Sequence, residues 1–141
     1  MKFYIDTEFN GYKGELISMA LIGLDGVEWY ESVGCENPDP WVAEHVMPII
    51  HKSPISKKEM QNSLQTFLSG YNAAHIIADW PEDIAHFCQL LITGPGTRID
   101  TPALTLEVRR DFDDAVSLMP HNALSDARAM RKYDMRETVG A

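Results

Sequence analysis

Two short apolar runs, each ending in acid, constrain this chain more than any other feature. Phe3-Tyr4-Ile5 is β-prone and stops at Asp6-Thr7-Glu8, while Ala73 to Ala78 reads as a buried strand and stops at Asp79. Runs without polar alternation suit strands covered on both faces of an α/β sheet. Pro81 follows the second run and suits the first turn of a helix, which places Asp83 in that turn. Open α/β sheets build their sites at the carboxyl ends of such strands, so both sets of acids fall where chemistry is built.

The other elements follow from local signals. Leu16 to Leu24 is an apolar run, Asp25-Gly26 is a two-residue hairpin signal, and Val27 to Ser32 returns, so three adjacent strands are expected. Trp41 to Ile50 reads as a helix that Pro48 ends or kinks. Ser56-Lys57-Lys58-Glu59 is a capping box, with Met60, Leu64, Phe67 and Leu68 on one face and Gly70 as the stop. In the helix from Pro81, Ile84, Phe87, Cys88 and Leu91 form the expected core face. Gly94-Pro95-Gly96 is a turn; no G-K-[ST] follows, so it is not a phosphate loop. Residues 97–120 carry the weakest pattern, with a short strand at Leu104 to Val108. A last helix is expected from about Ala123 to Arg136, capped by Asn122.

At 141 residues the chain reads as one domain, residues 1–141, able to bury about two thirds of its unfolded surface. The 45% hydrophobic content is that of a globular chain. A net charge of −9 argues against a broad duplex-binding surface. It leaves room for a locally held strand end, because four site carboxylates and two divalent cations together are neutral. Cys35 and Cys88 form no CxxC pair, which argues against structural zinc. Two buried, reduced thiols fit a cytoplasmic protein. The N-terminus reaches charge too early for a signal peptide, and no apolar run approaches a membrane span.

Asp6 and Glu8 are two residues apart at a strand end, so they share a face at roughly 6–7 Å between Cα atoms. Their carboxylates can reach one metal, or two metals about 4 Å apart; two solvated strand-end acids are the bland alternative. Asp79 or Asp83 can join them, or can serve as an ordinary acid at a helix start. His121 lies just outside the last helix and Asp126 about one turn inside it, so they can face one pocket. A neutral imidazole beside metal-bound water is a general base suited to pH 7. A surface histidine with an N-terminal helix acid is the alternative.

Together these residues resemble the DEDDh family of 3′–5′ exonucleases, which have a ribonuclease H-like fold. The first motif, D-x-E, is Asp6-Thr7-Glu8. The third motif, His with Asp five residues on, is His121 and Asp126, with Ala123 between them. The second motif, roughly H-N-x-x-F-D, falls on Ala78-Asp79-Trp80-Pro81-Glu82-Asp83. It departs from the pattern there: Asp83 takes the metal-site position and Asp79 replaces the usual asparagine, with Asp79 as the alternative acid. The likeness spans Phe3 to about Met130 and is closest to short stand-alone exoribonuclease-like members of bacteria and phages. It implies a mixed β-sheet flanked by helices and two Mg²⁺ or Mn²⁺ per site. Asp6, Glu8 and Asp126 would hold the first metal, Asp6 would bridge to the second, Asp83 would support the second, and His121 would be the base. It implies release of nucleoside 5′-monophosphates from single-stranded 3′ ends, RNA favoured over DNA, and a homodimer. A proofreading DNA exonuclease and a non-catalytic nucleic-acid-binding module of the same fold are the rival expectations.

Phe9, Asn10 and Gly11 follow the first motif, where relatives contact the terminal nucleotide; Phe9 is either a base platform or a core residue. Trp80 is expected in the core and His86 on a helix surface. His45, His51 and His75 carry no signal. Arg128, Arg131, Lys132 and Arg136 give the last helix a basic side, read as a solvated helix end with a phosphate-tracking edge as the rival.

Overall fold

A computed structural model describes residues 1–112 and 115–140, the last four of these by backbone alone. The chain runs β1 (Lys2–Phe9), β2 (Leu16–Gly23), β3 (Glu28–Ser32), α1 (Pro40–His45), α2 (Lys57–Leu68), β4 (Ala73–Ala78), α3 (Pro81–Leu91), β5 (Ile92–Gly94), β6 (Thr97–Arg98), β7 (Ala103–Val108) and α4 (Ala123–Gly140). Five strands form one mixed sheet in the order β3-β2-β1-β4-β7, and β5 with β6 forms a small hairpin across the Gly94-Pro95-Gly96 turn. β1 is antiparallel to β2 and parallel to β4, and β4 is parallel to β7. This is an α/β fold with helices on both faces of the sheet. Among the described residues no helix is long and apolar enough to cross a membrane.

Alternation along β1 sorts the two layers. Phe3 and Ile5 join Met19, Leu21 and Ile76 against Met60, Leu64 and Leu68 of α2 and Phe87 and Leu90 of α3. Tyr4 points to the other face, where it packs with Ile77, Phe112 and Met130 of α4. Ala20 and Ile22 meet Ala123 and Ala127 there, and the small side chains let α4 lie close to the sheet. Asp6 and Glu8 therefore share the α4 face, and Thr7 faces α3.

Local chemistry sets most element ends. Ser56 and Glu59 make both bonds of the capping box at the start of α2. Asn122 caps α4 by accepting from the Ser125 backbone N–H at 2.9 Å, while its amide donates to the Ile49 carbonyl at 2.8 Å. The helix expected over Trp41 to Ile50 is split: α1 ends at His45, and Pro48 sits within a separate 3-10 turn at Met47–Ile49.

Several expectations are corrected. The β2–β3 loop has three residues, Leu24, Asp25 and Gly26: the Gly23 N–H donates to the Val27 carbonyl at 2.8 Å and Gly26 lies at φ +93°. That is the turn-plus-left-handed-residue form of hairpin, which uses glycine last. α2 does stop just before Gly70, ending at Leu68 with Ser69 as its C-cap in right-handed geometry. The buried positions of α3 are Asp83, Phe87 and Leu90, with Ile84 and Leu91 at the margins, so the core face is rotated from the expected one. Cys35 and Cys88 are unpaired but half-buried, not buried.

Candidate active site

The sheet order assembles the acids. β4 lies beside β1 in parallel, so both strands deliver their carboxyl ends to one rim, Asp6 and Glu8 from β1 and Asp79 just past β4. α3 turns back at once with Pro81 in its first turn, which brings Asp83 under β1. α4 crosses the opposite face and adds Asp126 from its first turn.

The result is two carboxylate triads with one shared member. Oxygens of Asp6, Glu8 and Asp126 lie within 4.8 Å of one another, and so do those of Asp6, Asp79 and Asp83. Thr7 orients the second triad, since its hydroxyl donates to Asp83 Oδ1 at 2.6 Å. Asp83 is only 2% exposed. The His121 backbone N–H donates to Asp126 Oδ2 at 3.2 Å.

Burial raises Asp6, Glu8, Asp83 and Asp126, and neighbouring carboxylates add to the rise in the first three. Asp6 is held well above the usual carboxylate range by burial first, then by Asp83, Glu8, Asp126 and Asp79. Burial, with Asp126 and Asp83 nearby, pushes Glu8 up to about 9. Burial and the Asp79 carboxylate push Asp83 up to about 7, against the lowering effect of the Thr7 bonds. Asp126 is raised by burial, opposed by bonds from Ser117 and the His121 backbone.

Asp6 Oδ2 and Asp83 Oδ2 are buried without a hydrogen-bond partner among the described residues. Such atoms are costly unless something positive meets them. An all-oxygen donor set of this kind could hold hard divalent cations such as Mg²⁺ or Mn²⁺.

His121 comes to the rim in a strained setting. Its φ is +72°, uncommon for a residue with a Cβ. Its backbone serves Asp126, while its ring sits edge-on to Trp41 at 5.0 Å and stays outside the carboxylate groups. Trp41 is 52% exposed, so this ring pair lies at the surface.

Phe9 is half-buried and lies against His86, with ring centroids 4.8 Å apart. His86 is therefore not the free helix-surface histidine expected. It lines a cavity of about 810 Å³ floored by Leu16, Met60 and Leu90. Asn10 serves a different task. Its amide donates to the Asn37 carbonyl at 3.0 Å and its oxygen accepts from the Asp39 backbone at 2.7 Å, which latches the loop before α1. Gly11 completes that latch at φ +72°, where a Cβ would stand 2.3 Å from Asp39 Oδ2. Trp80 is corrected as well: it is 48% exposed and carries the Arg110 guanidinium 5.2 Å from its ring centre.

The sequence reading does not place Thr7, Trp41 or Arg110 at the site, and it weighs His86 only as a rival base against a helix-surface histidine. Thr7 had a signal, since alternation sends the residue between two site acids to the opposite face. Arg110 had none, because it lies in the stretch without a readable period. No family model matches the chain, and no curated protein is significantly similar to it.

Proposed function

We propose that this protein is a metal-dependent 3′–5′ exonuclease of DEDDh type, acting on single-stranded ends with RNA favoured, in the cytoplasm. The observation that carries the reading is Asp6 standing at the shared corner of two carboxylate triads. Two cations bridged by one carboxylate need that arrangement, and a chance acid cluster does not. The strand order β3-β2-β1-β4-β7 supports a ribonuclease H-like fold for the same reason, since it sets β4 beside β1.

Asp6, Glu8 and Asp126 would hold one cation, and Asp6, Asp83 and Asp79 the other. Two bound cations stabilise the attacking and leaving oxygens of an in-line displacement at phosphorus. Thr7 keeps the Asp83 carboxylate aimed at the rim. His121 takes the proton of the attacking water when its ring swings from Trp41 toward Asp126, a rotation that its rim position leaves open. Phe9, next to Glu8 in the chain, packs its ring against His86 on the α3 side of the sheet.

The test is incubation of purified protein with 5′-labelled single-stranded RNA and DNA oligomers in Mg²⁺, in Mn²⁺ and in chelator. The expected result is a metal-dependent ladder shortening from the 3′ end, faster on RNA. A DNA preference replaces the RNA version with a proofreading type. No cleavage in any metal leaves a non-catalytic binding module.

A further inference from the structure

A second feature lies on the opposite flank of α4 from the carboxylates. Arg128, Arg131, Lys132 and Arg136 line a groove of about 800 Å³ together with Ile22 and Glu28 of the β2–β3 hairpin. These are four of the 12 lysines and arginines in a chain of net charge −9. Arg128 is neutralised by Glu28, Nη2 to Oε1 at 2.8 Å. Arg131 donates to the Leu24 carbonyl at 3.0 Å and shares Glu28 with Arg128. Lys132 and Arg136 are exposed and make no hydrogen bond or ion pair among the described residues. A groove with four cations against one lining carboxylate on an acidic protein has anion recognition as its natural chemistry.

The place of the groove says how it is used. Arg136 is ten residues beyond Asp126 on α4, an axial distance of about 15 Å. Arg128 and Arg131 reach the hairpin, whereas Asp126 faces Asp6 and Glu8 on β1. A mononucleotide at the carboxylates cannot span the distance to Arg136, and a strand of several nucleotides can reach both.

We propose that this groove is a remote anchor for the phosphates of a single-stranded nucleic acid whose 3′ end occupies the carboxylate site. The proposal rests on the exonuclease reading for the identity of the strand. Lys132 and Arg136 hold phosphates without reading sequence.

The test uses the full chain carrying Lys132→Ala with Arg136→Ala, two exposed positions whose loss leaves the packing intact. Binding of 5′-labelled 20-nucleotide and 3-nucleotide single-stranded RNA is measured by anisotropy in chelator across a salt series, and trimming of both in Mn²⁺. We expect the 20-nucleotide strand to bind about tenfold more weakly at low salt, with the slope of log K against log salt reduced by about 1.4. Trimming of the 3-nucleotide strand should be unchanged. An unchanged slope for the long strand, with trimming intact in both proteins, overturns the groove and leaves the exonuclease reading standing. A reduced slope in a protein that trims neither strand upholds the groove and sinks the exonuclease. Lys132→Gln alone should give about half the slope change. A change in sedimentation of the free protein with no change in slope assigns the groove to contact between copies and overturns the proposal.

Discussion

Replacing Asp6 by asparagine should make the protein more stable without metal and less stable than wild type with it. Asp6 faces Glu8, Asp79, Asp83 and Asp126, with carboxylate oxygens within 4.8 Å in each triad. One ionised pair at that distance costs about 3 kcal/mol at an effective dielectric of about 20. The cluster avoids the full sum by taking up protons: burial first, and these like charges after it, push Glu8 to about 9 and Asp83 to about 7. Raised carboxyl values have a definite sign. Their contribution to stability is fully present below the ordinary carboxylate range and is lost as pH rises through about 7 for Asp83 and about 9 for Glu8. Metal-free wild type should thus lose stability from pH 5 to pH 9. Asparagine at position 6 removes one ionisable group from both triads, worth up to about 3 kcal/mol where its neighbours are ionised and less at pH 8, where Glu8 still largely holds its proton. For a chain of this size the full figure is roughly 10 °C in melting temperature. Metal reverses the order: at a hundred times its dissociation constant it adds about 2.7 kcal/mol to wild type, and the variant, lacking the shared ligand, gains little. The assay is thermal unfolding of both proteins by circular dichroism at pH 6 and pH 8, in chelator and in 10 mM-scale Mn²⁺. A variant that melts below wild type in chelator, or that gains as much from Mn²⁺, would refute the reasoning.

Other substitutions separate the roles. His121→Ala should lower the cleavage rate by about 10²–10⁴ while keeping the metal-induced rise in melting temperature; loss of that rise makes His121 a ligand and not a base. Asp83→Ala should reduce metal-dependent cleavage more than Asp79→Ala, because Asp83 is the buried member bonded to Thr7; the reverse order gives the second-motif role to Asp79. Asn122→Ala removes the α4 cap and its tie to Ile49, so urea unfolding should show a loss of about 1–2 kcal/mol, and an unchanged midpoint would deny it that role. Leu64→Ala, at a fully buried position between α2 and the sheet, should cost about 2–5 kcal/mol in the same measurement.

The sequence by itself determined the features that local chemistry controls. The capping box at Ser56, the strand over Ala73–Ala78, the helix start at Pro81 and the Asn122 cap are all where short-range rules put them. The reason is that caps, proline and apolar runs act over a few residues and need no distant partner. All five acids are legible in the same way, as strand-end or helix-start positions. Tertiary structure decided the rest. Whether Asp79 or Asp83 meets Asp6 depends on β4 pairing with β1, and the fold brings both. The face of α3 that is buried depends on its tilt over the sheet, which made Leu90 core and left Cys88 at the margin. Trp80 points outward because Arg110, arriving from an unreadable stretch, gives its ring a partner at the surface. Phe9 against His86, and His121 against Trp41, join residues far apart in the chain whose meeting no local period encodes. The shared corner at Asp6 is the clearest case, since it exists only once three separate elements converge on the end of β1.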